Sequence, residues 1–286
     1  MFVCKNPQKT PKLTININKW IYAELLETKK KVEKNIKNYR FDEAARNSYQ
    51  FVWHSYCDWY LELTKTIFYS NDKKSIKETK EVSSYIFKQI LILMHPFIPF
   101  ITEEIWLKNK LDNSKKNYLM LSNWISGTCK KDDDFKEVEK IINIISQLRS
   151  FKNELNVSPG SFVDISLSKL KTNSKKFFRH NDTVLKKLGR INNFFDSDKE
   201  KPSATIVISG DIFKVYFEEN VDLNIIKENL LNKQKKCQNE IDKIDSRLNN
   251  KDFVSRAPKH IVDQEKTNYN NLKNDIKKIS QTVKSL

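Results

Sequence analysis

The side chains here that could act as nucleophile, general base or soft metal ligand are four histidines and four cysteines, and their spacing supports none of those roles. Cys4, Cys57, Cys129 and Cys237 form no C-x-x-C pair, which argues against a zinc site and against a disulfide framework. His54, His95, His180 and His260 lie far apart and show no ligand spacing with any cysteine. His95, between Met94 and Pro96, reads as a packed residue at a helix end rather than a catalytic group. The four glycines, at 127, 160, 189 and 210, are too dispersed to build a phosphate-cradling loop. No catalytic residue and no metal ligand is therefore assigned, and the chemistry that remains is binding. Trp53, Tyr56, Trp59 and Tyr60 are rings on which unpaired bases could stack. Arg149 and Lys152, one helical turn apart, could meet phosphate, and Lys251, Arg256 and Lys259 form a second basic cluster.

The charge distribution points the same way. The 286 residues carry 52 basic and 36 acidic groups, a net charge of +16. Residues 1–131 hold 23 basic and 13 acidic groups, residues 132–221 hold 15 and 14, and residues 222–286 hold 14 and 9. The excess thus sits in the first and last regions, around a neutral middle. Such a field attracts a polyanion, of which nucleic acid is the commonest; the competing reading is a Lys- and Asn-rich bias with solvated helix faces. No run of roughly 18 apolar residues is present, so no membrane partner is expected. The N-terminal MFVCKNPQKT lacks an apolar segment of the secretory kind, and a reduced, cytoplasmic setting fits best.

The elements that must position these residues are mostly helical. Residues 1–12 read as a leader. Ile21, Leu25, Val32 and Ile36 put one apolar stripe on a helix of about five turns, which breaks at Asn38 to Arg40. Phe41, Ala45, Ser48, Val52, Tyr56, Trp59 and Leu63 define a second stripe; Trp59 and Tyr56 fall on it as core, whereas Trp53 and Tyr60 fall off it and are candidate surface rings. Asp58 is expected to anchor the bundle through a buried hydrogen bond, with a direct contact to a base as the alternative. Val82, Ile86, Ile90, Leu93 and Phe97 form a third stripe, ended by Pro96 and Pro99, after which Thr102 is expected to cap a short helix. A connector packed on the bundle covers 107–131, with Tyr118 to Leu121 and Trp124 as its apolar knot.

Asp132 to Asp134 open a helix with the stripe Val138, Ile141, Ile142, Ile145, Leu148 and Leu155, acid first and base last as the macrodipole favours. The period then becomes two: Phe162, Ile165 and Leu167, then Ala204 to Ile208, then Ile212, Val215 and Phe217 read as strands, with a turn at Gly210-Asp211 and a helix near Thr183 to Leu188. Finally Ile226, Leu230, Lys233, Cys237, Ile241, Ile244 and Leu248, and then Leu272, Ile276, Ile279, Val283 and Leu286, carry heptad spacing on either side of Pro258. They predict an antiparallel coiled-coil hairpin.

Several strings together resemble one family, the valyl-tRNA synthetases. NYRFDEAARNSYQFVWHSYCDWYLELTK at 38–65 is similar to that family's second anticodon-domain helix, with its FxEAA start and CDWYLE end. LILMHPFIPFITEEIW at 91–106 resembles the HPFxPFITEEIW segment shared by the valine, isoleucine and leucine enzymes. LRSFKNELNVSPG at 148–160 is similar to an IRxEMNVxPG turn, with Phe151 and Leu155 as departures. NKDFVSRAPKHIVDQEKTNYNNL at 250–272 resembles the FVxRAPxxVVxxE hairpin of the C-terminal arm. The bundle strings alone leave valine and isoleucine open; the tail selects valine.

The resemblance implies a mainly α fold: a class I anticodon-binding bundle at 13–131, a helix and small α/β connector at 132–221, and a coiled-coil tRNA-binding arm at 222–286. Phe41, Asp58, Trp59, His95, Pro96 and Pro99 are its structural motif residues. Trp53, Tyr60, Arg149, Lys152, Lys251, Arg256 and Lys259 are the candidate tRNA contacts, although Arg256 could instead brace its turn through backbone carbonyls. HIGH and KMSKS motifs do not occur, and no editing domain is present. The expected partner is valine-specific tRNA, not DNA. ATP and magnesium would belong to a catalytic part of the whole enzyme, and this chain alone is expected to be inactive. The alternatives are a separately encoded subunit that docks onto a catalytic half, or a structural coiled-coil protein.

Overall fold

A computed structural model describes residues 11–109, 111, 118–127, 133–199, 204–208, 211–217, 223–250 and 259–285. These residues are mainly helical, with one small mixed sheet, and the chain divides into two compact units, 1–143 and 144–286.

The first unit is a helical bundle. Helix α1 (Asn16–Lys37) has Ile15 at its N-cap, which offers no side-chain acceptor, and no acid in its first turn. The missing acceptor comes from α4 (Lys73–Met94): the Glu78 carboxylate accepts the backbone N–H groups of Thr14 and Ile15, each at 3.0 Å, as well as the Thr14 hydroxyl and, at 3.1 Å, the Asn18 amide. The free amides of a helix start are thereby tied to a helix some 60 residues away. Burial pushes the Glu78 carboxyl up, but the bonds from Thr14, Asn18 and Ile15 outweigh it and hold its pKa below the ordinary value. Helix α4 caps itself, with Asp72 Oδ1 accepting from the amides of Lys74 and Ser75.

The expected break at 38–40 is present, with Tyr39 in the left-handed region at φ 58°. Helix α2 (Phe41–Gln50), a π-helical segment (Phe51–Tyr60) and α3 (Leu61–Phe68) follow without interruption. The buried positions are Ala44, Ser48, Phe51, Ser55, Trp59, Tyr60, Leu63 and Thr64, and the predicted stripe needs correction at several points. Phe41 is 56% exposed, because small Ala44 and Ser48 face inward and the large rings of α2 face out. From Phe51 the ladder runs i→i−5, as in the bond from Leu61 N–H to the Tyr56 carbonyl. Each wide turn takes up more residues than an α turn, which carries Tyr60 inward and leaves Asp58 exposed.

Tyr60 accordingly belongs to the core. Its hydroxyl donates to Asn18 Oδ1 at 3.0 Å and accepts from Ser83 Oγ at 3.2 Å, which joins α1, the π segment and α4. Burial raises its phenol well above the ordinary range, against a smaller downward pull from Ser83.

Helix α4 ends at Met94, and α5 (Pro99–Lys108) begins with Pro99 in the first turn, where a missing N–H costs nothing. Thr102 is not its cap: the helix starts three residues earlier, and the buried Thr102 hydroxyl bonds back toward the Ile98 and Pro99 carbonyls while meeting His95 Nδ1 at 2.8 Å. A 3-10 turn (Leu119–Leu121) is pinned to α5 where the Glu103 carboxylate accepts the Leu119 amide. Trp124 Nε1 donates to Glu33 of α1 at 2.9 Å. At Gly127 φ is 118°, and a Cβ would lie 2.7 Å from the Tyr22 hydroxyl, so the connector closes on α1 only with glycine there. The start of α6 (Asp133–Glu154) joins the bundle through ion pairing of Asp134 with Lys19 and a 2.8 Å bond from Asn16 to Glu137.

In the second unit, β1 (Val163–Ser166), α7 (Thr172–His180), α8 (Asp182–Gly189), β2 (Ile191–Phe195), β3 (Ala204–Ile208) and β4 (Asp211–Phe217) build a four-stranded sheet of order β2-β1-β4-β3. β1 and β2 are parallel, joined by the helical crossover, and the other pairs are antiparallel. Val163, Ile165, Ile206, Phe213 and Val215 are buried, and Phe178 of α7 meets Phe194 and Phe213 at centroid distances of 5.6 and 5.3 Å.

Two long helices, α9 (Leu223–Asn249) and α10 (Lys259–Ser285), complete the unit. Gln234 bonds Ser280 at 3.1 Å and Arg247 pairs with Glu265 at 3.0 Å, so the partner number falls as the residue number rises and the helices run antiparallel. Ile226, Leu230, Ile241, Ile244, Val262 and Ile279 are buried in this unit.

Candidate nucleic-acid interface

The exposed face of α2 and the π segment concentrates rings. Tyr49 and Trp53, four residues apart, lie parallel, with centroids 6.3 Å apart and planes within 4° of each other, and they are 57% and 58% exposed. Tyr39 and Phe41 form an edge-on pair at the start of the same helix, with centroids again 6.3 Å apart. Rings of this size are normally used to bury area, and here four of them remain in solvent. Around them, Arg40 and Arg46 both reach the Glu43 carboxylate, Arg46 at 3.5 Å, and His54 approaches Asp58 at 3.6 Å. Parallel, accessible π-faces beside guanidinium groups can hold an unstacked base and its phosphate.

Of the residues expected to contact nucleic acid, Trp53 lies on this face. Tyr60 does not, being fully buried with its hydroxyl bonded inside the bundle. Tyr49 was missed by reading the periodicity; its signal is the i, i+4 spacing to Trp53, which sets two rings one above the other on a helix surface. Asp58 is at the surface, so the buried anchor expected of it is corrected. Trp59 is core, at 5% exposure, with His54 edge-on to it.

Arg149 and Lys152 are brought together, but toward backbone. Lys152 is 1% exposed, and its ammonium donates to the carbonyls of Ser161, Gly189 and Arg190 at 2.9, 3.1 and 3.4 Å. Arg149 donates to the Leu188 carbonyl at 3.2 Å. Helix α8 ends at Gly189, followed by Arg190 as its C-cap with a left-handed φ of 53°, and these two cations bond carbonyls at that end, where a helix dipole favours positive charge. The phosphate contact expected of Lys152 is therefore corrected: its three donors are already committed inside the fold. Lys251 and Arg256, with the rest of 251–258, lie outside the described residues, as does the side chain of Lys259.

Among the described residues no group of three His, Cys, Asp or Glu could hold a metal ion, and no helix is long and apolar enough to cross a membrane.

Comparison with known proteins fits this geometry. Residues 18–167 match the family described as the anticodon-binding domain of tRNA ligase, and residues 222–286 match the valyl tRNA synthetase tRNA binding arm. A valine–tRNA ligase of Pelagibacter ubique (strain HTCC1062) is 64% identical over 276 residues, 96% of this chain and 32% of that protein. Those of Bartonella quintana (strain Toulouse) and Aquifex aeolicus (strain VF5) are 31% and 28% identical, over 98% and 94% of this chain and 31% and 24% of their own lengths. The chain thus spans about a third or less of the length of these relatives. With half its length in the anticodon-binding match and its tail in the arm match, the chain belongs to the tRNA-ligase anticodon-binding family and corresponds to the C-terminal part of valine–tRNA ligases.

Proposed function

We propose that this chain is the tRNA-binding portion of a valine–tRNA ligase, its bundle reading the anticodon region and its long helical pair bracing the tRNA body as a coiled-coil arm. The observation that carries this reading is the exposed Tyr49–Trp53 pair on the surface of a domain whose family binds anticodons. Anticodon bases are unpaired, so their π-faces are free to meet such rings, while the +16 charge supplies sequence-independent affinity. Lys251, Arg256 and Lys259 are the residues proposed for contact at the arm. The role proposed for the chain is to position its partner. Valine activation with ATP and magnesium, and transfer to the tRNA 3′ end, belong to a catalytic part outside these 286 residues, in the cytoplasm.

Equilibrium binding of valine tRNA, compared with an unrelated acidic polymer of equal charge, tests this reading. A clear preference for the tRNA is expected. Equal affinity for the two would leave only a general polyanion binder.

A further inference from the structure

Arg190 stands where the backbone favours glycine. Helix α8 stops at Gly189 and β2 begins at Ile191, so the chain turns from helix to strand on a single residue, with φ at 53°. The turn is fixed by the sheet: Val163 of β1 pairs with Ile191, and its N–H donates to the Arg190 carbonyl at 3.0 Å. A left-handed conformation is costly for a residue with a Cβ, and at a helix end it is usually filled by glycine or asparagine. The glycine next to it serves another need, since a Cβ on Gly189 would lie 3.0 Å from Ile191 Cδ1. Among the described residues the other non-glycine positions with positive φ are Asn156, a tolerant type, and Tyr39, beside the exposed rings of α2. An arginine kept in a strained conformation points to a use for its side chain.

That side chain is exposed, and its guanidinium carbon lies 5.5 Å from the centroid of the Phe162 ring. A guanidinium backed by a ring is held in one plane, and its fork of N–H donors matches the oxygens of a phosphate. The surroundings are positive. Arg149 bonds the Leu188 carbonyl, and the Lys152 ammonium bonds the carbonyls of Gly189 and of Arg190 itself, so three cations gather on three consecutive residues. The carboxylates of the same unit are engaged by other cations: Asp182 by Lys186, Asp196 by Arg179, Asp164 by Lys199 and Asp198 by Lys214. Among the described residues, no carboxylate pairs with Arg190. An anion is the occupant such a spot favours, even though basic and acidic residues nearly balance over 132–221. We infer that Arg190, backed by Phe162 and beside Arg149, takes a backbone phosphate of the bound RNA. This assignment rests on the function proposed above for the identity of that RNA, and it adds a contact outside both the bundle and the helical arm.

Arg190→Gly tests it, because glycine suits this backbone and the guanidinium alone is lost. Its melting temperature is expected to equal or exceed that of the parent. Its affinity for valine tRNA should fall about three- to tenfold near 0.1 M salt, and the slope of log affinity against log salt should become shallower by about one, the mark of one lost phosphate contact. Arg190→Lys, which keeps the charge, should keep the slope. An Arg190→Gly protein with the affinity and slope of the parent would overturn the inference and leave Arg190 as a cap alone. So would stabilisation of the parent, but not of Arg190→Gly, by millimolar inorganic phosphate with no change in the slope for tRNA, since the site would then serve a free anion. A slope that falls by about one for valine tRNA and for an unrelated RNA alike, with the parent binding both equally, would uphold the phosphate contact and overturn the anticodon reading instead.

Discussion

Trp53 lies parallel to Tyr49 across one turn of helix, both rings more than half in solvent, on a face whose opposite side is packed with Ala44, Ser48 and Phe51. The bundle supports this pair from behind without covering it. Replacing either ring with alanine removes a stacking surface worth roughly 1–3 kcal/mol per base. Tyr49→Ala and Trp53→Ala should each weaken tRNA binding about tenfold, leave the slope of log affinity against log salt unchanged, and shift the melting temperature little. Fluorescence titration and thermal melting check all three.

Lys152 should behave in the opposite way. Lys152→Met keeps the stem but leaves the Ser161, Gly189 and Arg190 carbonyls without their donor, at a cost of about 2–4 kcal/mol. The salt slope of tRNA binding should not change. Denaturant unfolding together with a salt series separates this role in the fold from a phosphate contact.

Tyr60→Phe deletes one oxygen from the chain linking Asn18, Tyr60 and Ser83 and leaves the ring packed. A loss of about 1–3 kcal/mol in unfolding free energy is expected, the range for a buried polar group deprived of its partner. Tyr60→Phe should bind tRNA as the parent does, unlike Trp53→Ala.

Glu78 and Asp198 are two carboxylates that the fold holds below their ordinary pKa. Asp198 is held far below its ordinary pKa by Lys214 first, then by the Ser168 and Ser166 hydroxyls, and Glu78 is held low by its bonds to Thr14, Asn18 and Ile15 against its burial. Both values are depressed in the folded state, so the stability they contribute is present above the unfolded carboxylate values near 3.8 and 4.5 and is lost as pH falls through the folded values. Unfolding free energy should decline below about pH 5. Glu78→Gln should flatten part of that decline while lowering stability at neutral pH, as read by denaturant titrations from pH 7 to pH 3.

Much of this was legible where apolar period and packing agree. Ile21, Leu25 and Val32 on α1, Val82, Ile86, Ile90 and Leu93 on α4, and Ile141, Ile145 and Leu148 on α6 are all buried as their spacing predicts. The second helix was not legible, for two physical reasons. Close approach to α1 selects Ala44 and Ser48 for the inside, where a reader looks for large residues, and the i→i−5 ladder after Phe51 departs from the 3.6 period that any stripe assumes. β2, with the sequence INNFF, has no alternating pattern of its own; its place is fixed by pairing with β1. Lys152 looked like a phosphate ligand because its spacing from Arg149 is right for one, but spacing does not reveal that the end of α8 lies within its reach; Arg149 bonds the Leu188 carbonyl and stays exposed. The site was half visible: Trp53 stood out by type, whereas Tyr49 required knowing which side of the helix faces water.

Whether the bundle reads the anticodon is decided by the affinity of this chain for valine tRNA and for the same tRNA body with its three anticodon bases replaced, measured across a salt series. Two parallel lines in log affinity against log salt are expected, offset by about tenfold or more, because base contacts differ while phosphate contacts do not. Coincident lines would contradict anticodon reading by the bundle.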